Sequence, residues 1–164
     1  MTTDDMRNQL LNLGSGAQAL AMQILGNPDD AADAVQDALA TVLGNPGSYD
    51  VDKGAVKPWF LRVVRNRCLD QLRRRRPSLL PVEEIPDSRD TPEQALQAEQ
   101  RDEELARALV AISPNQRQIV ILRDYLDLPY AEIATVLGIV PGTVMSRLHR
   151  ARLALKEALQ ENAK

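Results

Sequence analysis

The chain has 164 residues, of which 44% are apolar, and a net charge of −3. That length holds one ordinary domain or two small ones, and the apolar share is too high for a disordered chain. No apolar run approaches the ~20 residues that cross a bilayer, and the acidic start Met1-Thr2-Thr3-Asp4-Asp5 lacks the basic-then-apolar order of a signal peptide. The expectation is therefore a cytoplasmic protein without membrane insertion.

The single Cys68 cannot form an internal disulfide, and with His149 as the lone histidine a Cys- or His-based metal site is not expected. No nucleophile–base pair and no phosphate-binding glycine loop stands in the sequence, so neither an enzyme nor a cofactor is predicted. The net charge hides a strong segregation. Lys57, Arg62, Arg65, Arg67 and Arg73 through Arg76 stand against one acid, Asp70. Arg147, Arg150, Arg152 and Lys156 form a second basic group. The acids gather elsewhere, at Asp29, Asp30, Asp33 and Asp37 and again from Glu83 to Glu104. Local patches set field and contact, so two basic faces on an acidic protein can still hold a polyanion.

In chain order the first marked element is a helix from Pro28 to Leu43, opened by the Asn27-Pro28 cap. Val35, Ala38, Leu39 and Val42 share its apolar face, and Asp33, Gln36, Asp37 and Ala40 the opposite one. Taken alone, the acidic face fits a solvated surface or a docking surface for a basic partner. A loop from Gly44 to Val56 leads to a basic helix, in which Leu61, Val64, Cys68 and Leu72 recur at helical spacing as the buried stripe. Arg62, Arg65, Asn66 and Arg73 take its other side. Trp59 fits either core or a stacking platform, and Asp70 fits a local pair with Arg73 or Arg74.

The segment from Arg76 to Pro92 has four prolines, acids and no helical period, which marks a linker. As a flexible coil of ~15 residues it spans roughly 20–25 Å on average. The expected organisation is all-α: two small helical domains, 1–76 and 92–164, joined by a Pro-rich linker, 77–91. No strand is expected. Thr91-Pro92 and Ser113-Pro114, with Gln94 and Gln116 three residues after each cap, fit capping boxes. They predict helices from about Glu93 to Ile112, with Leu105, Leu109 and Ile112 inward, and from Pro114 to Leu126, with Ile119, Leu122 and Leu126 inward. A short helix from Tyr130 to Leu137 comes next, then Gly138, then a helix opening at Pro141. Ala134, Gly138 and Val144 stand at helix-turn-helix spacing: close approach, a positive-φ turn and a packing contact. In the last helix Val144, Leu148 and Ala151 make one apolar face. Thr143, Ser146, Arg147 and Arg150 make a polar, basic one, as a DNA-recognition helix requires.

The stretch from Ala108 to Leu155, ALVAISPNQRQIVILRDYLDLPYAEIATVLGIVPGTVMSRLHRARLAL, resembles region 4 of extracytoplasmic-function (ECF) RNA polymerase sigma factors. The resemblance implies that Thr143, Ser146, Arg147 and Arg150 read the −35 promoter element. Met145 departs from the family, where a basic residue is common. DAADAVQDAL resembles the sigma region 2 motif that docks on the β′ clamp helices, which implies Asp33, Gln36 and Asp37 as polymerase contacts. Trp59, Asn66, Asp70 and Arg73 stand as W-x6-N-x3-D-x2-R, similar to the part of region 2 that captures the melted −10 element. The resemblance thus implies Tyr49, Trp59, Arg62, Arg65, Asn66 and Arg73 at that element, with Arg67 a further phosphate candidate. Together the two resemblances span about residues 17 to 160. They imply a transcription-initiation factor whose partners are core RNA polymerase (β′ clamp helices and β flap), promoter DNA and an anti-sigma factor, and whose targets are a stress or envelope regulon. A free-standing helix-turn-helix activator would need a dimer interface, which the sequence does not reveal. A sigma-like decoy would not need the arginines at 73–76, 147 and 150.

Overall fold

The computed structural model describes residues 3–45, 55–75 and 97–162. Tyr49, the proposed linker and the Thr91-Pro92 cap lie outside these residues. The described residues are helical, with no strand among them.

Four helices make the N-terminal unit: α1 (Thr3–Asn12), α2 (Gly14–Leu25), α3 (Pro28–Gly44) and α4 (Val56–Arg75). Four make the C-terminal unit: α5 (Gln97–Ala111), α6 (Pro114–Val120), α7 (Tyr130–Leu137) and α8 (Val144–Asn162). This is the expected all-α pair of small helical domains.

Helix starts obey the caps. Asn27 Oδ1 accepts the backbone N–H groups of Asp29 at 2.8 Å and Asp30 at 3.1 Å, with Pro28 at the first helical position. Ser113 and Gln116 form the full reciprocal capping box, Ser113 Oγ accepting from Gln116 N at 3.2 Å and Gln116 Oε1 from Ser113 N at 3.1 Å. Each contact satisfies a backbone donor that the first turn would otherwise leave open.

The apolar faces bury much as their spacing predicts. Val35, Ala38 and Val42 of α3 are buried, as are Leu61, Val64 and Cys68 of α4. Leu72 departs from its stripe at 37% exposed. It belongs to the turn that carries Arg73 to Arg75, where Arg75 pairs with Asp30 at 2.7 Å and a polar contact replaces the apolar seam. Leu105 also departs, at 42% exposed; Ala108 and Leu109 of α5 are buried, as is Ile112 just past its end.

The helix expected from Pro114 to Leu126 changes character part-way. After α6 the chain makes a π-helical turn, Ile121–Tyr125, in which Leu126 donates its N–H to Ile121 O at 2.9 Å. A wide turn inserts an extra residue and rotates the residues beyond it about the helix axis. Leu126 therefore leaves the inward stripe that keeps Ile119 and Leu122 buried, and its side chain meets Gly16 of the N-terminal unit instead.

The two units pack on each other. One continuous cluster of buried side chains runs from Leu20, Phe60 and Leu61 to Ile119, Leu122, Ile133 and Leu148. The contact joins α4 to α7 and α2 to α6.

Candidate nucleic-acid and polymerase interface

The helix-turn-helix forms as its spacing requires. Ala134 and Val144 are buried, and Gly138 takes φ 67°, a left-handed conformation that costs a side-chain-bearing residue strain. Gly138 and Ile139 both donate their N–H groups to the Ala134 carbonyl, closing the C-terminus of α7. A 3-10 turn, Pro141–Thr143, leads into α8. Val144, Leu148 and Ala151 pack inward, which turns Ser146, Arg147 and Arg150 to solvent. Thr143 is half-buried in the turn; its hydroxyl donates to Val140 O at 2.8 Å, while Ser146 Oγ donates to Thr143 O at 3.2 Å. Thr143 thus has lone pairs but no free proton to offer a base. Met145 stands 64% exposed on the same helix.

Arg123 braces this module. Its guanidinium donates to Leu128 O at 3.0 Å and lies 5.4 Å from the centroid of the Tyr130 ring. Arg152 pairs with Asp124 through two hydrogen bonds, and the bond to that carboxylate raises its pKa. Arg152 is therefore engaged within the protein, unlike Arg147 and Arg150.

On α4, Arg62 and Asn66 are exposed and Arg65 is half-buried. Burial lowers the Arg65 pKa, and Arg62 adds to the shift. Arg73 donates to Asp70 at 2.6 Å, the local pair that the spacing of the two residues predicts. Arg67 is tied to α3 by a 2.8 Å bond to Thr41 Oγ1. Trp59 packs, partly buried, against the core, so its ring contributes to packing on at least one face. Burial pushes the Cys68 thiol up to about 11, which keeps it protonated and weakly nucleophilic.

On α3 the acidic face borders α4, whose Arg75 pairs with Asp30 and whose Arg67 donates to Thr41 Oγ1. Asp33, Gln36 and Asp37 are exposed, and the apolar face of the helix holds them on a fixed backbone. Among the described residues no cation forms an ion pair with Asp33 or Asp37.

The structure also joins residues that sequence reasoning kept apart. Arg65 lines one cleft of about 360 Å³ with Arg147 and Arg150, over a floor that includes Ile119, Leu137 and Ile139. Contacts not foreseen in the sequence build this junction. Gln118, buried to 1% exposure, accepts Arg65 Nε at 2.6 Å. Lys57 Nζ donates to Leu126 O at 3.2 Å, and Arg117 Nε donates to Gln23 O at 3.2 Å. The signal that could have found Gln118 is its place beside Ile119 on the inward side of a short helix.

Two family models match, in this order along the chain: Sigma-70 region 2 over residues 14–77 and Sigma-70, region 4 over residues 102–155. The chain is 34% identical over 149 residues to the ECF RNA polymerase sigma factor SigE of Mycolicibacterium smegmatis, covering 88% of this chain and 57% of that relative. It is 34% identical over 139 residues to the RNA polymerase sigma-E factor of Streptomyces antibioticus, covering 84% and 74%. The chain belongs to the ECF sigma-factor family. The fold agrees: the sigma factor RpoE of Bartonella quintana, solved with the anti-sigma factor NepR, superposes with a TM-score of 0.74 at 26% identity, over 95% of this chain and 97% of that one. This ECF chain spans little more than half the length of the Mycolicibacterium relative. Among its described residues, no single helix is long and apolar enough to cross a membrane.

Proposed function

We propose that this ECF sigma factor binds core RNA polymerase in the cytoplasm and directs initiation at promoters with −10 and −35 elements. The observation that carries the reading is the clustering of acidic side chains on α3 and of basic ones on α4 and α8. Asp33, Gln36 and Asp37 on α3 are exposed and acidic, suited to a basic protein surface such as the β′ clamp helices. Trp59, Arg62, Arg65, Asn66 and Arg73 on α4 serve the −10 element. Ser146, Arg147 and Arg150 on α8 serve the −35 element, with Thr143 as an acceptor at the edge. Tyr49 joins the −10 set by resemblance, and the region 4 unit meets the β flap.

Each basic face offers only a few phosphate contacts, so each alone binds duplex DNA weakly and with salt sensitivity. The two elements lie roughly 20 base pairs apart, on the order of 70 Å at 3.4 Å per pair. A rigid partner must set that spacing, and core polymerase would turn two weak contacts into one register-specific event. An anti-sigma factor holds the protein idle until a stress or envelope signal releases it; the family and the NepR-bound relative support this part of the reading.

Co-sedimentation with purified core polymerase tests the first step. The wild type is expected to migrate with core, and Asp33→Arg/Asp37→Arg to stay at the top of the gradient. Equal migration of both would remove α3 from the polymerase interface.

A further inference from the structure

The entry of α8 carries an apolar surface that the polar and basic contacts assigned above leave unused. Val140 precedes the 3-10 turn at 68% exposure and Met145 follows it at 64%; among the described residues no large apolar side chain is more exposed than Val140. Met145 is the second residue of α8, next to the exposed Ser146. We propose that Met145 is a specificity-determining residue of the −35 contact: its side chain packs on the C5 methyl group of one thymine, while Ser146 Oγ accepts a hydrogen bond from N6 of the adenine paired with it. The inference rests on the sigma reading above and deepens it.

Three observations carry this. First, position. Val144 faces the core, and Met145, Ser146 and Arg147 step round the outward arc of the helix with Ser146 in its middle. The first residues of a recognition helix are the ones that meet base edges in the major groove. Arg147 takes the flank that lines the cleft with Arg65, and Met145 takes the opposite flank. Second, chemistry. A thioether side chain cannot hold a phosphate and gives guanine no donor. The thymine methyl is the distinctive apolar group of the major groove, and an unbranched, polarisable side chain adapts to it. Third, the hydrogen bonds beside it. Thr143 Oγ1 donates to Val140 O at 2.8 Å and Ser146 Oγ to Thr143 O at 3.2 Å, so both hydroxyl protons are used inside the protein. What Ser146 offers outward is a lone pair. Adenine N6 and cytosine N4 are the donors in the groove, and only the adenine pair also brings a methyl group. Acceptor and apolar side chain together select an A·T pair.

Holoenzyme made from core polymerase and the wild-type chain would first select duplexes from a randomised pool, which defines the upstream element. Each thymine of that element is then replaced in turn by deoxyuridine, which lacks only the C5 methyl group, and affinity is measured by competition. At one position the replacement is expected to weaken wild-type binding about fourfold, the weight of one buried methyl group. Met145→Ala is expected to bind the thymine duplex at least that much more weakly than wild type, and to be indifferent to the replacement. Met145→Arg should bind more tightly on all sequences, with the salt slope steeper by about one, and should also lose the methyl dependence. Unchanged thermal melts of both variants are expected, since the side chain is exposed.

Wild-type affinity that survives every replacement would overturn the readout. So would a Met145→Ala holoenzyme that still loses affinity on deoxyuridine as the wild type does. A wild-type chain that enriches no common element together with core polymerase would instead reject the sigma reading, so the two failures are told apart.

Discussion

Asn27 Oδ1 holds the backbone N–H of Asp29 at 2.8 Å and so sets the first turn of the helix that presents Asp33, Gln36 and Asp37. The cap sits outside the proposed polymerase face but fixes its entry angle. Asn27→Ala is expected to cost about 1 kcal/mol of stability, the usual loss for such a cap. Chemical melts check this. Core binding should weaken far less than in Asp33→Arg/Asp37→Arg, because the charged face stays on the helix.

Arg147 and Arg150 are exposed on α8 and have no ion-pair partner among the described residues. Each alanine variant should lower holoenzyme affinity for a −35 duplex by about 1–3 kcal/mol if the side chain reads a base. If it holds a phosphate instead, affinity should fall alike on all sequences and the salt slope should flatten by about one. Anisotropy titrations at several salt concentrations separate the two roles. Arg152→Ala should act mainly on stability, since Arg152 is engaged by Asp124.

Cys68 ties stability to alkaline pH. Its folded pKa is raised from 9.0 to about 11, so the unfolded chain releases the proton first. The contribution is fully present below pH 9 and is lost as pH climbs toward 11. At pH 10 the loss is about 1.4 kcal/mol relative to pH 8, from one unit of pH above the unfolded pKa. Urea melts at pH 8 and pH 10 should show that loss in the wild type and not in Cys68→Ala. The buried thiol should also resist alkylation in the folded protein.

Much of the architecture was legible because local chemistry and the fold agree. The Asn27-Pro28 and Ser113-Pro114 caps start α3 and α6, and Gly138 makes the left-handed turn between α7 and α8. The inward faces of α3 and α8 obey the helical period. The tertiary features were not legible. Leu126 reads as one more step of an apolar stripe, and only the π-helical turn moves it to Gly16. Gln118 gives no apolar signal of its own, and its partner Arg65 reaches it from a helix 53 positions away in sequence. Leu72 and Leu105 fit their stripes in projection but stand at 37% and 42% exposure. Periodicity reports which way a residue faces, not whether a partner covers it.

Run-off transcription tests the central claim most directly. Purified core RNA polymerase would be supplied with the wild type, Asp33→Arg/Asp37→Arg or Arg147→Ala, on the promoter region upstream of this protein's own gene. The account predicts one discrete transcript with the wild type, none with the α3 double variant, and a strongly reduced one with Arg147→Ala. A wild-type protein that neither binds core polymerase nor starts a transcript would contradict it.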